Sequence, residues 1–166
     1  MTTNDSLARV CTALVLIAFS LSTCAQSNSS ISQISLQRTA CFGACPVYTV
    51  SIYADGLVEF HGERFVDFPG NYTGRVDPAN FTELTNFADR LNFFDLAEEY
   101  RVRREADGTV VTVSDLPSRI IKVIAGERVK SVLNYFAGPA ELEQFELLID
   151  SMTNSARWTG RTNPNL

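Results

Sequence analysis

Between Val47 and Phe65 apolar and polar side chains alternate on both sides of Ala54-Asp55-Gly56. In an extended segment Tyr48, Val50 and Ile52 share one face, and Val47, Thr49, Ser51 and Tyr53 share the other, because successive strand side chains point to opposite sides. Gly56 can take positive φ in the tight turn, so Leu57–Phe65 returns as the partner strand. A hairpin with one apolar face must bury that face against another layer, a second sheet or a set of helices.

Flanking segments supply the layers. Ile31–Arg38 is apolar at 31, 34 and 36 and reads as a first strand leading into a cysteine loop. Pro69-Gly70 breaks the chain after the hairpin, and a short strand is expected over 71–76. Asp77-Pro78 is a helix start: the Asp can cap free N–H groups and proline at the first helical position sacrifices no bond. Phe81, Leu84, Ala88 and Leu91 then fall on one helical stripe, and the surplus of phenylalanines around them (Phe81, Phe87, Phe93, Phe94) reads as core. Arg101–Gly108 is a mixed-charge connection whose arginines are expected in solvent. Thr109–Ser114 and Arg119–Ala125 read as strands, while the periodicity of Val129–Phe136 fits a strand or a helical turn. Pro139–Met152 is amphipathic, with Leu142, Phe145, Leu148 or Ile149, and Met152 on one face and acids at 141, 143 and 146 toward its positive end.

The expectation is one α+β domain over 31–155, an antiparallel sheet of about five to seven strands with two helices packed on one face. Residues 156–166 form a polar tail from which only Trp158 is expected to pack back.

Val10–Leu21 is an apolar run of twelve residues behind Arg9, too short for a membrane-spanning helix and the usual length of a signal-peptide core. Residues 1–23 therefore read as an export signal, and the protein is expected in the periplasm or anchored to a cytoplasmic or outer membrane. Leu21-Ser-Thr-Cys24 resembles a bacterial lipobox that would make Cys24 the lipidated first residue, with 24–30 as a flexible tether. The competing cut, after Ala25 in Thr23-Cys24-Ala25, releases a soluble protein beginning at Gln26. The chain has 14 Lys and Arg against 19 Asp and Glu, a net charge of -5, which suits neither nucleic acid nor an anionic membrane surface. Membrane attachment is thus expected only through a lipid on Cys24.

Two thiols belong to the exported part, in Arg38-Thr-Ala-Cys41-Phe-Gly-Ala-Cys45-Pro-Val-Tyr48. Outside the cytoplasm a close pair is expected to oxidise, and Gly43 lets the short loop turn back, so a structural disulfide is the leading reading. Two alternatives stay open: thiol exchange, and capture of a soft ion such as Cu(I) by Cys41 and Cys45 with His61, the one histidine, as third ligand. The C-x-x-x-C-P spacing resembles that of thioredoxin-fold copper-delivery proteins, although here an alternating strand follows where that motif leads into a helix. Other than copper in that alternative, no cofactor is expected.

Cys41-Phe-Gly-Ala-Cys-Pro-Val-Tyr48, the following strand, Asp55-Gly56 and Phe60-His-Gly62 resemble the start of an uncharacterised family of exported bacterial proteins, domain of unknown function 6438. The resemblance extends to the mid-chain helix and the closing Leu-rich helix. It implies location and architecture and carries no activity, substrate or catalytic residue. The sequence contains no H-E-x-x-H, Walker A, G-x-G-x-x-G or G-x-S-x-G pattern, and no carboxylate pair stands in an evidently apolar setting. The acids are accordingly expected on a solvated surface, and no catalytic residue is assigned. The functional expectation is a non-enzymatic interaction or scaffolding domain acting on an unknown envelope protein, with a periplasmic thiol-redox or Cu(I)-binding protein as the alternative.

Overall fold

The computed structural model describes residues 30–161. The expected export signal, Cys24, all of the tether but Ser30, and residues 162–166 of the tail lie outside them. The chain forms β1 (Ile31–Arg38), β2 (Val47–Tyr53), β3 (Leu57–Arg64), β4 (Gly70–Arg75), α1 (Pro78–Arg90), β5 (Glu99–Tyr100), β6 (Arg103–Arg104), β7 (Val110–Val111), β8 (Arg119–Ala125), β9 (Arg128–Asn134), α2 (Ala140–Thr153) and α3 (Ala156–Thr159). The fold is α+β. Seven strands make one sheet in the order β4-β3-β2-β1-β8-β9-β5, and β6 pairs with β7 outside it.

The sheet is mixed, which corrects the expectation of a purely antiparallel one. β5 runs parallel to β9 through Glu99↔Leu133 and Tyr100↔Asn134, because the chain leaves α1 and a 3₁₀ turn at Phe93–Asp95 and enters the edge in that direction. Thr109–Ser114 contributes only Val110–Val111, paired with Arg103–Arg104 away from the core, and Val129–Phe136 resolves as a strand.

The hairpin forms where expected. Ile52 pairs with Val58 around a turn in which Gly56 has φ 78°, with Val76 O approaching where a Cβ would stand. Asp77 caps α1 by accepting from Ala79 N at 2.9 Å. The helix-facing side of the sheet contributes Ile34, Leu36, Val50, Ile52, Val58, Phe60, Ile121, Val123 and Val132, all buried. Phe81, Leu84 and Ala88 of α1 and Leu142, Phe145 and Ile149 of α2 cover them, and Phe87 stacks on Phe145 at 5.3 Å. Both helices lie on this one face, and the opposite face mixes short polar residues such as Ser35, Ser51 and Thr49 with the half-buried Ile120, Ile124 and Leu133.

Order continues past residue 155. Trp158 of α3 is 7% exposed and stacks on Phe60 with centroids 4.9 Å apart, so the start of the expected polar tail closes one end of the core.

Candidate functional site: the disulfide end of the sheet

The ends of β1, β3 and β9 and the starts of β2, β4 and β8 meet at one end of the sheet, and there a single cross-strand row is polar. Asn134↔Arg119↔Arg38↔Tyr48↔Gly62 are successive partners across β9, β8, β1, β2 and β3, all on the helix side. Every other row on that side is apolar at its centre. α2 lies over this one with Glu146 and Asp150, four residues apart and therefore on one helical face.

Asp150 gathers three side chains. Arg38 donates to its Oδ2 from Nε at 3.0 Å and Nη2 at 2.7 Å, Tyr48 donates its hydroxyl to Oδ1 at 2.5 Å, and Ser155 donates Oγ to Oδ1 at 2.8 Å. Glu146 accepts from Arg119 Nε at 2.7 Å and from Asn134 Nδ2 at 2.8 Å, while Arg119 Nη1 also reaches Tyr135 O at 3.0 Å. Arg38, Tyr48, Asn134, Glu146, Asp150 and Ser155 are all buried, and no buried side-chain polar atom among the described residues lacks a partner. Two arginines against two carboxylates leave the cluster neutral, the condition under which charge can be buried at all.

Burial dominates the titration here. It pushes the Tyr48 phenol well above its ordinary value, and the adjacent Asp150 charge pushes it further. It raises the Glu146 carboxyl too, with Arg119 and Asn134 pulling back without prevailing. For Arg38 burial is the strongest single influence and works downward, yet the Asp150 charge and hydrogen bond, with Tyr48 and Glu146, together outweigh it and the net shift is upward. The phenol is thus kept neutral as a donor and the guanidinium kept charged.

Outside this row the chain turns through the cysteine loop. Cys41 and Cys45 are joined in a disulfide, with Cα atoms 5.8 Å apart. Arg38 and Tyr48 stand three residues outside each cysteine and are cross-strand partners, so the loop is clamped twice: covalently at its neck, and through Asp150 at its base. Gly43 has φ 150°, and a Cβ there would meet Cys41 Sγ at 3.7 Å. The loop is laced to its surroundings by Phe42 N donating to Asp115 O at 3.2 Å and Arg161 Nη2 donating to Ala44 O at 3.0 Å. Phe42, at the tip, is 90% exposed, the most exposed large apolar side chain among the described residues.

Gly62 completes the row for a steric reason. A Cβ there would come within 2.7 Å of Phe68 O and 2.8 Å of Val66 Cγ2, so the missing side chain lets the 65–69 loop fold back over the row.

His61 lies elsewhere. It pairs with Thr49 and Asn71 on the open face, and its Nδ1 stands 2.6 Å from Asn71 Oδ1. Among the described residues no three His, Cys, Asp or Glu side chains gather into a group that could hold a metal ion, so Cys41 and Cys45 come together and His61 is not clustered with them. With both sulfurs in a disulfide, thiolate ligation of a metal at this loop would require its reduction first, whereas exchange would begin with attack of a partner thiolate on one sulfur, the other leaving as thiolate.

The expectation of uniformly solvated acids is corrected at Glu146 and Asp150. A sequence signal existed: both fall on the stripe of Leu142, Ile149 and Thr153, where a surface acid would be out of place. Arg38 and Arg119 carried no comparable signal, since arginine at a strand end is ordinary.

A family model described as domain of unknown function (DUF6438) matches residues 32–153, from the first strand through α2. No curated protein matches the chain.

Proposed function

This chain belongs to the DUF6438 family, and from that premise we propose that it is an exported envelope protein, a non-enzymatic interaction or scaffolding domain held from its N-terminus through a lipid on Cys24. The observation that carries this reading is the division of labour at the disulfide end. The residues with reactive chemistry, Asp150, Glu146, Tyr48 and the two arginines, satisfy one another in the interior, while the rigid loop outside them offers solvent an aromatic ring. Protein-binding surfaces are built that way, with aromatic anchors on a preorganised support.

The start of β1 supports the same reading by its position. β1 begins at the end of the sheet opposite the cysteine loop, and its eight residues span about 25 Å. A domain anchored ahead of Ser30 is thus attached at the end of the sheet opposite Phe42. Intact-mass measurement of the protein exported in a bacterial host, before and after reduction, tests the reading. Expected are a lipid adduct on Cys24, a mass lower by two hydrogens before reduction, and no thiol labelling of Cys41 or Cys45. Free thiols or a copper adduct would replace it with the thiol or Cu(I) alternative, and turnover abolished by Cys45→Ser in a folded protein would replace it with an enzyme.

A further inference from the structure

We infer that the disulfide end is a protein-docking tip, with Phe42 as the knob that enters an apolar pocket of a folded partner and Phe65 and Phe68, in the β3–β4 loop at the same end of the sheet, as further contacts. The inference rests on the interaction-domain reading and names the surface and the kind of partner.

Three observations carry it. Ten large apolar side chains are exposed among the described residues, and seven of them sit in segments that leave the sheet at this end, Phe42, Phe65 and Phe68 among them at 90%, 50% and 47%. Scattered exposure needs no explanation, but concentration at one end does. The charge is also distinctive. The segments 39–46, 65–69, 101–118, 135–139 and 160–161 hold four arginines and four acids, so this end is neutral on a chain of net charge -5. Exposed aromatics are characteristic of interface centres, and balanced charge around them leaves no net repulsion toward an acidic or a basic partner. Third, the backbone is held in costly conformations here. Phe65 has φ 56° and Asp115 φ 68°, left-handed values that side chains with a Cβ rarely adopt and that a bulky phenylalanine adopts at a cost. Such conformations persist where surrounding structure imposes them, and here the bonds from Phe42 N to Asp115 O and from Phe68 N to Trp158 O tie the loops down.

The same features select the occupant. The described chain enters at the opposite end, at Ser30, and Thr162-Asn-Pro-Asn-Leu166 is too polar to cover three phenylalanines. A ring standing clear of a stiff, neutral loop fits a concave apolar pocket, and preorganisation by the disulfide and by Asp150 removes much of the ordering cost of binding. A bilayer surface would favour lysines and arginines in excess around the aromatics, and here acids equal them.

Site-specific photocrosslinking tests this in the host that makes the full chain, with benzoylphenylalanine at position 42, at 68, at 61 on the open sheet face and at 147 on α2. Expected is one protein adduct shared by 42 and 68 and absent from 61 and 147. The protein identified in it, once purified, should bind the wild-type chain directly and bind Phe42→Ser about tenfold or more weakly, with the Tm of that variant unchanged. Adducts confined to 61 or 147 would overturn this surface while leaving an interaction domain standing. Lipid adducts at 42, or adducts to a second copy of the chain, would overturn the partner proposed, and no adduct at any position would remove both readings. Unaltered affinity of Phe42→Ser for the purified partner would overturn the role of the knob.

Discussion

Arg38 and Tyr48 face each other across β1 and β2 and bond to opposite oxygens of one carboxylate, that of Asp150. The two residues bracket the disulfide loop, so a single helical side chain sets how its two strands enter and leave it. The loop's conformation is thereby coupled to the docking of α2 on the sheet.

Removing the shared acceptor should cost more than removing its uncharged donor Tyr48. Asp150→Ala leaves the Arg38 charge buried and unpaired, an expected loss of about 3–5 kcal/mol. Tyr48→Phe removes one bond to a carboxylate that keeps Arg38 and Ser155, and should cost about 1–3 kcal/mol. Urea denaturation of the three proteins checks the order, and equal losses would contradict the role given to Asp150.

Raised titration of Tyr48 fixes the direction of alkaline sensitivity. The folded phenol holds its proton above the pH near 10 at which the unfolded one releases it. Its contribution is present in full below the unfolded value and is lost as pH rises beyond it. Stability should fall above about pH 10, and less steeply in Tyr48→Phe. Denaturation midpoints measured across that range give the comparison.

The disulfide should act as a staple of modest strength. Closing so short a loop stabilises by about 2 kcal/mol in the chain-entropy model, and the Asp150 cluster still joins the strands without it. Cys41→Ser with Cys45→Ser should therefore remain folded, with its denaturant midpoint lowered to match. Complete unfolding of that variant would mean that the buried cluster does not hold the loop's base.

Gly62 tolerates no side chain, because Phe68 O leaves 2.7 Å where a Cβ would sit. Gly62→Ala should cost about 1–3 kcal/mol and disturb the 65–69 loop. By contrast, Gly70→Ala meets no atom within 4 Å, and only its φ of 106° opposes it. Thermal unfolding together with the loop's amide exchange distinguishes the local from the global effect.

A chain ending at Ser155 spans the whole family match and yet should be unstable. It uncovers Phe60 by deleting Trp158, and a large-to-small change at a packed aromatic costs about 3–5 kcal/mol. Circular dichroism melts of residues 31–155 and 31–161 test whether α3 belongs to the cooperative unit.

The sequence by itself determined the elements whose cause is local: the alternation of Val47–Tyr53, the turn at Asp55-Gly56, the cap at Asp77-Pro78 and the stripe Leu142-Phe145-Ile149. Each depends on neighbours within a turn or a hairpin, so residue order contains it. The closeness of Cys41 and Cys45 is local in the same sense. What only the tertiary structure decided is everything set by pairing at a distance. The parallel entry of β5 against β9 depends on where α1 deposits the chain. The burial of Glu146 and Asp150 depends on strand register bringing Arg119 and Arg38, 27 and 112 residues away, into one row beneath α2. An acid on an apolar helical stripe announces a conflict, but only the fold supplies the cation that resolves it, because the energy of a buried charge depends on what lies opposite in space.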